Sequence, residues 1–225
     1  VQQIDNLAGT TINQYYDLYD SYNNPKKTRT VANGGEKISL MDYEDNPLGT
    51  GSQYYVGRPV KKTETQVLGT DTFSTEDLIT YANGLISQTK KKGNNTDYIT
   101  EDFVYDAFGN NIQKTLSATG VAPRIEKMQY DPTGRFPIKT TDVLGATTQF
   151  SYDPNFGMLL SSTNNLNQTA SNVYDTWQRK VEERDIYNNV TQYFQEWITT
   201  GDFINGIKLR VVNPTGAIKE TYTDN

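Results

Sequence analysis

Histidine and cysteine are both absent from this 225-residue chain. Without them there is no Ser-His-Asp or Cys-His nucleophile system, no His/Cys zinc site, no haem or iron–sulfur ligation and no disulfide. Apolar residues are sparse as well: the hydrophobic fraction is 35%, against roughly 45–50% in ordinary globular domains. No run approaches the ~18 apolar residues of a membrane span, which argues against a bilayer-crossing helix. Basic charge is in deficit, 21 Lys and Arg against 27 Asp and Glu for a net −6, so a nucleic-acid-binding face is not expected. What survives is carboxylate chemistry, Lys or Tyr chemistry, an oxygen-ligated metal, or no chemistry at all; no cofactor is implied. The lack of thiols leans towards an exported protein. The start at Val1-Gln2-Gln3, with no initiator Met and no signal peptide, reads as an excerpt of a longer chain.

What is present is turn chemistry at a fixed interval. Three tetrapeptides have the form Asx-Pro-x-Gly: Asn46-Pro-Leu-Gly49, Asp131-Pro-Thr-Gly134 and Asn213-Pro-Thr-Gly216. Asp or Asn first, Pro second and Gly fourth is the signature of a type I turn, and a left-handed Gly adds the bulge that closes a hairpin. Looser copies are Asp106-Ala-Phe-Gly109, Asp142-Val-Leu-Gly145, Asn164-Asn-Leu-Asn167, Asp185-Ile-Tyr-Asn188 and Asp202-Phe-Ile-Asn205, with Asn taking the place of Gly in three. Asp153-Pro-Asn-Phe-Gly157 carries one extra residue. First positions fall at 131, 142, 153, 164, 175 and 185, then at 202, 213 and 224; Asp106 and Ser117 share the step. The step is about 11 residues, one turn plus one strand of ordinary length.

A second period lies on the first. Tyrosine precedes alternate turns, at Tyr105-Asp106, Tyr130-Asp131, Tyr152-Asp153 and Tyr174-Asp175, so the repeating unit is two strands and two turns. Tyr81-Ala-Asn-Gly84 and Tyr222-Thr-Asp224 extend the series. The expected fold is all-β, a long antiparallel meander, with residues 74–225 as the regular ribbon and 1–73 as a less regular part of the same sheet. In that earlier part, Tyr55-Val-Gly57-Arg58 and Val67-Leu-Gly69 read as degenerate turns, while Tyr19-Asp20 lacks its downstream Gly. Thr75-Glu-Asp-Leu-Ile79, with Ser74 and Asp77 as a weak capping box, is the one candidate helix start. Alternation places Ala146, Thr148, Phe150 and Tyr152 on one face and Thr147, Gln149 and Ser151 on the other; neither face is continuously apolar. Stability must then come from ladder hydrogen bonds, cross-strand pairs and Tyr packing. A sheet of fifteen or so such strands must curl, and two half-wet faces suit a ribbon around a water-filled interior.

Tyr130-Asp-Pro-Thr-Gly-Arg135 followed by Asp142-Val-Leu-Gly-Ala-Thr-Thr148, with Tyr105-Asp-Ala-Phe-Gly-Asn110 and Tyr174-Asp-Thr-Trp-Gln-Arg179, resembles the YD repeat of the RHS family. Tyr54-Tyr-Val-Gly-Arg-Pro59 is similar to the stretch before the repeats in RHS proteins of the insecticidal toxin-complex type. The resemblance implies a β-ribbon spiralling into a hollow shell, found in bacterial toxin complexes, contact-dependent toxins and animal teneurins, which in the toxins encloses a C-terminal effector. It implies as partners the rest of a longer RHS chain and an enclosed polypeptide, in a secreted or cell-surface protein. Some relatives cut the effector free with aspartates of a core-associated segment. That segment is absent here, and Asp131-Pro-Thr-Gly134 serves as a turn.

Other readings compete with a purely structural one. Carboxylate pairs at Asp17/Asp20, Asp42/Glu44/Asp45 or Glu182/Glu183 would suit a hydrolase. Asp42, Glu44 and Asn46 mimic the start of a calcium loop, but Pro47 and Gln53 stand where Gly and Glu are needed. Lys90-Lys-Lys92 before Gly93 reads as an exposed hairpin tip, and Trp177 and Trp197 are candidate sugar-stacking residues in an adhesin or carbohydrate-binding sheet. The structural expectation is a wall segment whose repeat residues are Tyr105, Asp106, Gly109, Tyr130, Asp131, Gly134, Asp142, Gly145, Tyr152, Asp153, Gly157, Tyr174, Asp175, Asp185, Asn213 and Gly216.

Overall fold

The computed structural model describes residues 2–5, 10–32, 34–94, 97–200 and 203–224. Two compact units divide the chain, Val1–Ile125 and Glu126–Asn225. The first carries β1 (Gln2–Asp5), β2 (Thr10–Tyr19), β3 (Pro25–Ala32), β4 (Gly35–Asn46), β5 (Tyr55–Leu68), β6 (Asp71–Ala82), β7 (Leu85–Lys92), β8 (Ile99–Tyr105) and β9 (Asn111–Ala118). The second carries β10 (Val121–Tyr130), which begins just before the boundary, then β11 (Pro137–Thr141), β12 (Thr147–Tyr152), β13 (Leu159–Asn164), β14 (Thr169–Tyr174), β15 (Lys180–Arg184), β16 (Val190–Thr200), β17 (Phe203–Val212) and β18 (Ile218–Asp224). Within each unit every strand pairs antiparallel with the next, so each is a meander. One short 3-10 turn, Gly51–Gln53, interrupts the β4–β5 connection. The fold class is all-β, as the turn spacing requires.

Neither unit has a dry interior. Among the described residues no hydrophobic and no polar side chain is fully buried. The free energy that a core supplies elsewhere must come from the ladders, about 0.5–1.5 kcal/mol net per hydrogen bond, and from cross-strand side chains. Different stretches use different side chains for this, and the second unit has charges of its own where Lys208 of β17 joins Glu196 of β16 and Glu220 of β18. In the first unit, ion pairs bridge neighbouring strands on both faces. Glu64 of β5 gathers Lys37 at 2.8 Å, Lys62 at 3.0 Å and the Ser39 hydroxyl at 3.1 Å. On the opposite face Glu76 of β6 gathers Lys61 at 2.6 Å and Lys92 at 3.2 Å, with the Tyr98 hydroxyl. In the second unit the register sets Ser151 beside Ser161 beside Ser171, and Gln149 beside Thr163 beside Thr169. The Thr163 and Thr169 hydroxyls meet at 2.8 Å.

Several sequence expectations need correcting. Thr75–Ile79 is the middle of β6, where β-branched neighbours and cross-strand partners override a weak cap. Lys90–Lys92 end β7 rather than forming a tip, and Lys92 is held by Glu76. Gly57 lies inside β5 at φ 68° as a bulge, not a turn, and its N–H donates to Asp45 Oδ1 at 2.6 Å. Gly49 N–H donates the turn hydrogen bond to Asn46 O at 3.2 Å, yet it is Gly51, at the start of the 3-10 turn, that takes the left-handed conformation. Ser117 is in β9; the reversal there is a tight Thr119-Gly120 turn. Asp224 is in β18, opposite Gly206. Asp202 lies outside the described residues, while residues 203–205 belong to β17, with Phe203 opposite Thr200. The 11-residue beat fails wherever a longer hairpin with a tight reversal takes over.

Candidate functional site

The feature that recurs is a rim built from three parts: an Asx turn, a bulge and a tyrosine. At Asp106 the backbone N–H donates to Asn110 O at 3.0 Å and Gly109 N–H donates back to Asp106 O at 3.1 Å. Oδ1 accepts from the N–H groups of Phe108 and Asn110, both at 2.9 Å. One carboxylate oxygen thereby satisfies two N–H groups that the reversal would leave bare. The same four bonds recur at Asp142, Asn164, Asp175, Asp185 and Asn213. Asp131 and Asp153 sit in variants lengthened by one residue. Asp131 bonds to Phe136 in place of the fifth residue, and Gly157 N–H reaches Asp153 O at 2.9 Å.

The fourth position takes positive φ throughout: Gly109, Gly145 and Gly216 near 85°, Gly134 at 71°, Asn167 at 59° and Asn188 at 65°. Gly157 takes it at 76° in the longer turn. Gln178 occupies this position in the Asp175 turn at φ 64°, a costly residue there. Asp175 offsets it by gripping Arg179 through Nε at 2.8 Å and Nη2 at 2.7 Å.

Sequence reasoning missed one complete copy. Asp20-Ser-Tyr-Asn23 makes all four bonds, with Tyr22 and Asn24 N–H both 2.8 Å from Asp20 Oδ1 and Asn23 at φ 65°. The signal was present, since Asn replaces Gly at Asn167 and Asn188 too.

A second set of bulges, beyond the one expected at the left-handed Gly, was also missed. The register slips immediately before Tyr43, Tyr81, Tyr105, Tyr130, Tyr152 and Tyr174, each in an even-numbered strand and, but for Tyr43, in its last two residues. The extra residue on the following strand turns the tyrosine back across the preceding one. Tyr43 donates to Pro25 O at 3.0 Å, Tyr81 to Pro59 O at 2.8 Å, Tyr105 to Ile86 O at 2.8 Å and Tyr174 to Leu159 O at 3.1 Å. Each of these tyrosines thus ties three strands together at one rim. Tyr152 packs instead, its ring stacked on Phe136 at 5.0 Å between centroids. Turns after odd-numbered strands, at Asp142, Asn164, Asp185 and Asn213, show no such slip.

Most of the carboxylates proposed for chemistry are held by partners. Asp17 meets Lys27 and Arg29, Glu44 meets Arg58 at 2.6 Å, Glu182 meets Arg184, and Glu183 is shared by Lys180 and the Tyr193 hydroxyl. Of the calcium-like residues, Glu44 is held by Arg58 and Asn46 Nδ2 donates to Gln53 O, while the neighbouring Asp45 Oδ1 accepts from Gly57 N–H. Among the described residues no group of three or more Asp and Glu could hold a metal ion. Shifts in acidity follow the same partners. The Lys37 ammonium holds Glu64 down at about 2, Lys61 does the same for Glu76 at about 2, and the Thr133 hydroxyl and Phe136 N–H hold Asp131 at about 2. These are structural anions, kept ionised by donors, not acids or bases poised near neutrality. Trp177 stands on a turn tip and Trp197 in β16 beside Ile207; both are exposed. No helix among the described residues is long and apolar enough to cross a membrane.

Hairpin ribbon, bulged tyrosine rim and Asx turns together give the chain the RHS-type fold that its motifs resemble. Among solved structures it is similar to a crystal structure of TcdB2-TccC3 without its hypervariable C-terminal region, at TM-score 0.60 and 16% identity over 94% of this chain. It is similar also to the Photorhabdus luminescens Tc holotoxin pore, at TM-score 0.59 and 15% identity over 95%. The chain spans 11% of the length of either, so the likeness concerns the fold. No family model and no curated protein matches the sequence.

Proposed function

We propose that the chain is a non-catalytic length of an RHS/YD-repeat wall, residues 1–73 and 74–225 alike, in a secreted or bacterial cell-surface protein. The wall encloses a polypeptide cargo such as a toxin effector, or displays it. One observation carries this reading: among the described residues no side chain is fully buried, with charged ladders on both faces of the first unit and hydroxyl and amide rows in the second. A wall with water inside and outside needs that, whereas a sandwich or barrel core does not. The rim residues from Tyr105 to Gly216 named above are its fastenings. Cryo-electron microscopy of the full-length protein, with limited proteolysis before and after mild urea, is the test. A hollow particle whose cargo segment becomes cleavable only on opening is expected; a solid particle, or cargo cut at the same rate throughout, rejects enclosure.

A second reading, a carbohydrate-binding or adhesin sheet, draws on the exposed Trp177 and Trp197. Glycan-array binding lost in Trp177→Ala or Trp197→Ala would raise it above the first.

A further inference from the structure

Positive φ falls on asparagine at four of the described turns, Asn23, Asn83, Asn167 and Asn188. In three of them the turn protects that residue. The amide nitrogen that follows it is tied to the Asx cap: Asn24 N–H donates to Asp20 Oδ1 at 2.8 Å, Gln168 N–H to Asn164 Oδ1 at 3.0 Å and Asn189 N–H to Asp185 Oδ1 at 2.9 Å. The fourth differs. Asn83-Gly84 joins β6 to β7 as a two-residue reversal, with Ala82 opposite Leu85, and Ala82 stands where the Asx cap would be. Among the described residues no group bonds the Asn83 carboxamide or accepts from the Gly84 N–H. Both residues are exposed.

A bare carboxamide beside a bare amide nitrogen that carries no side chain is a reactive pair. The Gly84 nitrogen gives its proton to hydroxide and attacks Asn83 Cγ. A C–N bond forms, the Cγ–Nδ2 bond breaks, and the leaving nitrogen takes a proton from water and departs as ammonia. The succinimide ring so formed then takes up one water. Opening at one carbonyl gives aspartate; opening at the other runs the main chain through the side chain as isoaspartate. The turn geometry permits the closure. Asn83 at φ 52° and Gly84 at 81° make a type I′ turn. Ring closure rotates the peptide plane between them towards type II′, which is also a hairpin turn, and glycine accepts either sign of φ. Ala82 and Leu85 can therefore stay paired while it happens. The same dipeptide occurs at Asn205-Gly206, but there Gly206 is buried in β17 between Ile198 of β16 and Asp224 of β18, so its peptide plane is clamped from both sides. Asn33, which precedes Gly34, lies outside the described residues.

We propose that Asn83 is a self-modifying site, converted without an enzyme to isoaspartate and aspartate, and that the conversion loosens the rim where β5, β6 and β7 meet. Isoaspartate adds a main-chain carbon to a two-residue turn and spoils the match of Ala82 with Leu85. Next to it, Tyr81 donates to Pro59 O at 2.8 Å and its ring lies 4.4 Å from the Arg58 guanidinium. The chemistry is independent of whether the ribbon encloses anything. To test it, the full-length protein is incubated at mildly alkaline pH, in buffer and in urea. Peptides are then mapped by mass spectrometry, with an isoaspartyl methyltransferase assay alongside. In buffer Asn83 should convert at least roughly tenfold faster than Asn205, which must wait for a strand paired on both sides to open. In urea the two rates should converge. Equal rates in buffer, faster conversion at Asn167 or Asn188, or an Asn83 still intact in buffer when urea has converted it, would overturn the site. Asn83→Gly keeps the positive φ and cannot convert. Its melting temperature should hold steady over the incubation while that of the unaltered protein falls; equal drift in the two would overturn the loosening.

Discussion

The first unit and the second solve one problem with different side chains. Both are single-layer meanders in which no described side chain is fully buried, and both fasten alternate strand ends with a bulge and a tyrosine, followed by an Asx turn at Asp106 in the first and at Asp153 and Asp175 in the second. Between the rims they diverge. Strands β4, β5 and β6 run 12 to 14 residues and are crossed by ion-pair clusters, whereas β11 to β15 run 5 or 6 and carry mostly hydroxyl and amide rows. Long strands have many ladder bonds per reversal, so a tight turn such as Asn83-Gly84 or Gly69-Thr70 suffices. Short strands have few, and the Asx turns make up a larger share of what holds them. The β11–β15 stretch should therefore be the more sensitive to turn damage and β4–β6 to charge damage, while β16–β18, bridged by Lys208 between Glu196 and Glu220, side with the latter.

The largest expected effect breaks a second-unit turn. Gly157 is at φ 76° and a Cβ there would lie 2.6 Å from the Phe136 ring, which itself stacks on Tyr152. Gly157→Val should cost about 3 kcal/mol or more, combining backbone strain with loss of that stack. Gly145→Val has the same conformational strain but open space around it, so about 1–2 kcal/mol is expected. Urea denaturation of both variants decides; equal midpoints would show that the Phe136 contact contributes nothing.

Next comes the shared fastening. Tyr81→Phe in the first unit and Tyr174→Phe in the second each leave one carbonyl without its hydroxyl donor, at Pro59 and Leu159. About 1 kcal/mol is expected from each. A loss several times larger in one unit would mean that the rims are not equivalent. A gain is expected from Gln178→Gly, about 0.5–1 kcal/mol, since glycine relieves the positive φ while Asp175 keeps its bonds to Arg179. A thermal melt that falls instead would show that the Gln178 side chain is needed.

How much of this was legible depended on whether physics leaves a local mark. The Asx turns did, because Asp131, Asp142 and Asp153 cap their own reversals and glycine or asparagine must follow within a few residues. Asp20 was overlooked only because Asn23 was not credited with the role given to Asn167. Gly57 could not be told from a turn, since a bulge and a reversal demand the same positive φ. The bulge before each tyrosine leaves no mark in composition; it arises from pairing with the following strand. Nor does the sequence show that Tyr81 reaches Pro59, a partner 22 residues away. The ion-pair clusters were illegible for the same reason, as Glu64 meets Lys37 only once register is fixed.

The smallest effect separates the units by pH. Glu64 and Glu76 titrate near 2, below the ordinary carboxylate range of about 4. A depressed acid stabilises the fold above its ordinary value, and that contribution drains away as pH falls from about 5 to about 2. Amide protection in β5, β6 and β7, corrected for intrinsic exchange, should decline across that window. The β13–β14 hairpin has no carboxylate in its strands, and Asn164 rather than Asp closes its turn. Its protection should hold where the Asp131 turn, with its carboxyl at about 2, loosens. Glu76→Gln should flatten the decline in β6 without touching β13. If β6 and β13 instead lose protection together at every pH, the ladders and the hydroxyl rows are one cooperative structure, and the division of labour between charge and turn chemistry is wrong.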